Sequence, residues 1–171
     1  IDTVQTMTPD GCLVCRHSMG GSPYNVAVAL ARQGVLSHYL TPISTDDFGE
    51  QLANNLRSHR VVLSAPRSNA PTTQAIVTLS QGVPSYVFSR ENTAERDVTA
   101  KGIMAALPVA AAHFHVGSLA FAGGNDADAW ETAFHKAAKK GLTTSFDPNI
   151  RVSLVDGPEA YRARFSRLIA S

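Results

Sequence analysis

Strand-like and helix-like segments alternate along this chain, and that alternation limits the possible folds more than any other feature. Residues 23–33 carry apolar side chains at helical spacing (Val26, Ala29, Leu30), open on Pro23 and close on Gly34. Residues 36–43 read as a strand, and 46–58 as a helix with Asp46 or Asp47 as N-cap and Phe48, Leu52 and Leu56 on one face. Further along, 113–116 is a short buried strand, 126–140 a helix ended by Gly141, and 142–146 a strand. An amphipathic helix over 158–171 follows, presenting Tyr161, Phe165, Leu168 and Ile169. This rhythm predicts an α/β fold with a mostly parallel sheet flanked by helices. Two groups break it. Residues 11–19 read as a strand, and 74–79 with 85–88 as a hairpin around Gln81-Gly82 with Pro84 on an edge. They predict a small separate sheet.

Composition narrows the function. Of 171 residues, 44% are hydrophobic and 17% charged, which excludes disorder. Lys and Arg number 15 against 14 Asp and Glu, so no basic excess suggests nucleic acid. The apolar run 103–116 is broken by Pro108 and His113 and is too short to span a bilayer, so no membrane association is expected. The start, Ile1-Asp2-Thr3-Val4, has no secretion-signal pattern, and Ile1-Asp2 reads as the end of a strand. Cys12 and Cys15 form a C-x-x-C pair open to redox, zinc or disulfide readings. Their extended flanks instead favour two ordinary thiols, and with them a cytoplasmic setting.

The segment with most chemical promise is Gly20-Gly21-Ser22-Pro23-Tyr24-Asn25. Two glycines at a strand-to-helix turn let a ligand reach the backbone, and the helix start offers N–H groups to oxygen-rich ligands. Asn25 adds an amide suited to hydroxyls. A tight turn with a satisfied Asn is the plainer alternative. His113 and His115 share a strand face and would need a carboxylate to hold a metal; buried or capping histidines fit better, and no metal site is expected. Asp126 reads as a helix N-cap, and Glu95, Arg96 and Asp97 as a solvated charged loop.

The stretch G-G-x-P-x-N-x-A-x-A-L-A-R-x-G resembles the N-terminal signature of the PfkB, or ribokinase-like, carbohydrate kinases. The likeness continues through Asp46-Asp47-Phe48-Gly49, residues 71–77 and 86–91, and Asp147-Pro148-Asn149-Ile150-Arg151, similar to the D-P-N-x-R of the fructokinase and 2-keto-3-deoxygluconate kinase branches. The resemblance implies a ribokinase-like α/β sheet with a β-sheet lid over the sugar, its strands near 11–19 and 74–88. It implies sugar contacts at Asp2, Gly20, Gly21, Asn25, Phe88, Arg90, Asn149 and Arg151, with Arg151 able to clamp a carboxylate or phosphate. It further implies ATP and Mg²⁺ as cofactors, a hexose or keto-sugar acid as substrate, and transfer of the γ-phosphoryl group to its hydroxyl.

The family's G-A-G-D element, which carries the catalytic base, is absent from residues 1–171, as are its ATP-binding segments. The chain is therefore expected to be the N-terminal part of a longer domain and inactive alone. Tyr24 stands where many relatives carry a small residue. A nucleoside kinase of the same fold and a non-catalytic sugar-binding or assembly module are the rival readings. Leu13, Val14, Ile76, Val77, Leu79, Tyr86, Val87 and Phe88 put apolar groups on more than one lid face, which predicts a homodimer through the lids.

Overall fold

A computed structural model describes residues 1–7, 10, 12–80, 83–155 and 157–170. Gly11, the Gln81-Gly82 turn and Ser171 lie outside the described residues. In chain order the elements are β1 (Asp2–Met7), β2 (Leu13–Ser18), α1 (Ser22–Arg32), β3 (His38–Tyr39), α2 (Asp47–Ser58), β4 (Val62–Leu63), β5 (Gln74–Ser80) and β6 (Val83–Ser89). They continue with α3 (Ala100–Ala106), β7 (His113–Gly117), α4 (Asn125–Lys139), β8 (Thr143–Asp147) and α5 (Pro158–Ile169).

The body is α/β. Strands β3 and β4 pair in parallel, as do β7 and β8, and helices pack against both pairs. Two apolar clusters hold it. One gathers Phe114 and Val116 of β7, Trp130, Ala133 and Phe134 of α4, and Tyr161 and Leu168 of α5. Helix α4 reaches the sheet closely because alanines line its inner face; Ala127, Ala133 and Ala137 have no exposed surface. The other cluster joins Tyr24 and Ala27 of α1 to Ala53 and Leu56 of α2, with Ile43 and Val61. The strand expected over 36–43 pairs only at His38–Tyr39, because its partner β4 is equally short and Leu36 points into solvent.

The second sheet has the order β2-β1-β5-β6. Strand β1 is parallel to β5 and antiparallel to β2, while β5 and β6 form an antiparallel hairpin. Asp2 thus opens a central strand of this sheet instead of closing a strand of the body. Its short sequence shows little alternation, and two flanking partners supply the backbone pairing that makes it a strand. Pro84 falls on β6, an outer strand, the part of a sheet to which proline is confined. At the opposite edge, Thr3 Oγ1 and His17 Nδ1 are 2.9 Å apart, and the His17 ring rests on Phe48 of α2 with centroids at 4.9 Å.

Asp46 is the N-cap of α2, one of the two candidates the sequence offers. Its Oδ1 accepts from Gly49 N (2.7 Å) and Thr72 Oγ1 (2.6 Å), and its Oδ2 from Thr72 N (2.8 Å). Burial pushes its pKa up, but these hydrogen bonds outweigh it, and the carboxyl sits below its ordinary 3.8. A lowered native pKa means stability that is present above the ordinary value and lost as pH falls through the native one. Asp46→Ala is expected to cost about 1–2 kcal/mol near neutrality by denaturant titration. The gap to the wild type should narrow on going from about pH 6 to about pH 3. A gap that stays constant over that range would show that the ionised carboxylate is not the stabilising species.

Candidate functional site

Register brings the site's first residues together. Asp2 lies beside Ala75 on β5, and Ala75 beside Phe88 on β6, forming one transverse row. Members of such a row share a face, and all three line a cavity of about 150 Å³. One water needs about 10–15 Å³ of such space, so a small polyhydroxylated ligand has room. The body completes the wall with the first turn of α1, the segment following β3 and the turn that follows β7.

Gly20 sits where the row meets the body. A Cβ built there would stand 2.3 Å from Asp2 Oδ2, so glycine is what allows that carboxylate to lie against the chain. Gly21 is the N-cap of α1 and offers no side chain, which leaves the first-turn amides without an intrahelical acceptor at the cavity wall. Ser22 Oγ donates to Asp147 Oδ2 (2.9 Å), tying this turn to the end of β8. After β7 the chain turns through Ser118 at φ 56°, a left-handed conformation uncommon for serine, and that turn lines the cavity too.

Arg90 follows β6 and also lines the cavity. Its Nε donates to Glu95 Oε1 (2.6 Å), and its Nη2 to Leu119 O (2.7 Å) and Asp126 Oδ2 (2.9 Å). Glu95 is another wall residue. Across from it, enclosure and then the Glu95 charge push the Tyr39 phenol well above its ordinary range. Tyr39 therefore faces the cavity as a neutral O–H.

The cavity thus gathers Asp2, Gly20, Gly21, Phe88 and Arg90, but not every residue the sequence singles out. Asn25 is exposed on α1, and its backbone N–H donates to Gly21 O (2.9 Å) as part of the helix ladder. Asn149 adopts φ 32°, and its Oδ1 accepts from Arg151 Nη1 (2.7 Å). Neither lines the cavity, nor does Arg151. The sequence reading missed Tyr39, Glu95 and the turn after β7. The Gly117-Ser118 pair at a strand end was the signal available for the last of these.

Three local readings need correction. The 95–97 loop is not a solvated charge cluster: Glu95 holds Arg90, Arg96 holds Asp126, and Asp97 Oδ2 accepts from Ser68 Oγ (2.8 Å). Asp126 does not cap α4, whose N-cap is Gly124; it lies two positions further in, 3% exposed, because two arginines require it there. His113 and His115 neither cap a helix nor gather a third ligand. His113 Nε2 and His115 Nδ1 both lie 2.7 Å from Ser145 Oγ, and burial lowers the pKa of His115. Among the described residues no group of three His, Cys, Asp or Glu side chains could hold a metal ion.

Known proteins share this fold. The structure superposes on a crystal structure of fructokinase from Xylella fastidiosa with a TM-score of 0.87 and 26% identity, covering 98% of this chain and 55% of that one. The fold is therefore ribokinase-like. In sequence, the chain is 32% identical over 146 residues to Fructokinase-2 of Zea mays, covering 84% of this chain and 44% of the relative. It is 30% identical over 155 residues to a fructokinase of Rhizobium leguminosarum bv. trifolii, covering 88% of this chain and 46% of the relative. The model of the pfkB family carbohydrate kinases matches residues 13–170, and the chain belongs to that family. It spans less than half the length of these two curated relatives.

Gly20→Ala should drive Asp2 from its place. The affinity of the protein for a hydroxyl-bearing ligand in the cavity is expected to fall about tenfold or more, the worth of one charged hydrogen bond, by calorimetric titration. Undiminished affinity would show that Asp2 does not hold the ligand.

Proposed function

We propose that this chain forms the sugar-binding part of an ATP-dependent kinase that phosphorylates a neutral hexose, with fructose the first choice. The observation that carries this reading is the single cavity on which Asp2, Phe88, the Gly20-Gly21 turn and Arg90 converge. A carboxylate accepts hydrogen bonds from neighbouring hydroxyls, an aromatic ring covers the C–H face of a sugar, and a guanidinium fixes its orientation. Asn25, Asn149 and Arg151 are proposed as outer contacts, on the two segments that the Ser22–Asp147 bond joins. The fructokinases of maize and Rhizobium supply the choice of fructose.

A hexose is favoured over a keto-sugar acid by charge. The charged side chains at the wall are Asp2, Glu95 and Arg90, and Arg90 is already paired with carboxylates. Arg151, the other candidate clamp, is exposed and bonded to Asn149. A ligand carboxylate would meet two acids and no unmatched cation at the wall.

ATP and Mg²⁺ are proposed as co-substrate and its metal, ATP supplying the phosphoryl group. The described residues do not gather ligands for the ion, so no step through either is assigned to this chain. Its own part is to orient the acceptor hydroxyl and exclude water, and positioning of this kind dominates phosphoryl transfer. We place the base outside residues 1–171. We also propose a cytoplasmic protein: Cys12 and Cys15 form no disulfide, and among the described residues no helix is long and apolar enough to cross a membrane.

The four-stranded sheet is proposed as a lid that pairs with its twin. Leu13 and Val87 are 57% and 62% exposed on the face turned from the Asp2 row, while Val77 is buried. The full-length protein should scatter light as a dimer, and Leu13→Glu with Val87→Glu should return it to a monomer. A wild-type monomer at high micromolar concentration would rule the lid dimer out.

The reading is tested on the full-length protein by coupled assay with ATP and Mg²⁺. Fructose should be phosphorylated; turnover of a nucleoside alone, or of no acceptor, would overturn the proposal. Arg90→Ala should raise KM for fructose roughly ten- to a hundredfold. Because Arg90 also pairs with buried Asp126, the assay belongs well below the variant's lowered melting temperature. An unchanged KM would make Arg90 a structural residue only.

A further inference from the structure

We propose that Asp126 is a positioning residue for Arg90: the first turn of α4, outside the cavity, sets where the sugar-facing guanidinium points. This rests on the reading of Arg90 as a sugar contact. Asp126 does not line the cavity, so it can act there only through a neighbour. Its side chain is 2% exposed, and its two oxygens are divided between two partners. Oδ2 takes Arg90 Nη2 at 2.9 Å, while Oδ1 takes Arg96 Nε and Nη2 at 3.0 and 2.8 Å.

Arg96 gives this arrangement its direction. Were Asp126 only a counter-ion for Arg90, one guanidinium would balance its charge. The second, held through two nitrogens, fixes the orientation of the carboxylate and hence the line along which Oδ2 meets Arg90. The chain makes room for it: a Cβ on Gly124 would stand 2.4 Å from Arg96 Nη2. The charge of Asp126 near the start of α4 is further favoured by the helix dipole. Glu95 and Leu119 O supply the other anchors, so Arg90 is held from three separate segments. Nε and Nη2 are engaged, which leaves Nη1 as the amino group available to a hydroxyl.

The test uses the full-length protein and Asp126→Asn, which keeps the shape and removes the charge. KM for fructose should rise about tenfold while kcat stays within about twofold. In an Arg90→Ala background the same substitution should leave KM where Arg90→Ala alone puts it, because the pathway is already cut. A wild-type KM in folded Asp126→Asn, or effects that multiply in the double variant, overturns the proposal. If Asp126→Asn is unfolded at the assay temperature, Asp126→Glu decides. It keeps the charge and shifts it by a methylene, so positioning predicts a raised KM and mere neutralisation a normal one. A wild-type protein that takes no hexose would instead defeat the functional reading. Arginine-selective NMR then judges this inference separately: the Arg90 guanidinium should rotate slowly in the wild type and freely in Asp126→Asn, and equal restraint in both overturns it.

Discussion

A carboxylate buried between two guanidiniums governs how this molecule is put together. Removing Asp126 from water costs several kcal/mol unless its charge is met with good geometry. The groups that meet it come from far along the chain: Arg90 follows β6, Arg96 lies in the next turn, and the carboxylate itself belongs to α4. The turn after β7 joins through the Leu119 carbonyl. Satisfying one buried acid therefore brings the base of the four-stranded sheet, the 94–96 turn, the β7 turn and α4 to one point. The cavity wall is assembled at the same place, so stability and site geometry share their contacts here.

Asp46 does comparable work at the start of α2, at closer range in sequence. It caps α2 and binds both the amide and the hydroxyl of Thr72, just before β5 begins. The β5 row that carries Ala75 is thereby placed relative to α2 and its apolar cluster. Two acids, each satisfied from separate segments, fix the sheet's position where sequence-local forces could not.

What the sequence revealed follows from how local each signal is. Asp46 ahead of an amphipathic run identifies a capped helix, since cap and face lie within one stretch. The hairpin over 74–89 shows in its alternation, and the Gly20-Gly21-Ser22-Pro23 turn in its backbone chemistry. Strand β1 stayed hidden because its order comes from β2 and β5, not from its own side chains. The 95–97 loop looked solvated for the same reason: its partners, Arg90 apart, are distant in sequence, Ser68 on one side and Asp126 on the other. Asp126 itself sits at a place where an N-cap is the ordinary expectation, and only a three-dimensional view shows the arginines that claim it. The cavity was half legible. Glycines and the Asp2 and Phe88 positions could be named by resemblance, whereas Tyr39 and the left-handed Ser118 turn belong to it through packing alone.

The sheet's two sides are fastened unequally. Beside β6 it is clamped by ions around Arg90, and beside β2 the His17 ring rests against Phe48. A plate fixed along one side and resting on the other rocks about the fixed side. Any tilt about that side would move Leu13 and Val14 at the far rim most, and Phe88 and Arg90 beside the clamp least. The groups proposed to meet the ligand thus sit where the sheet is held by ion pairs.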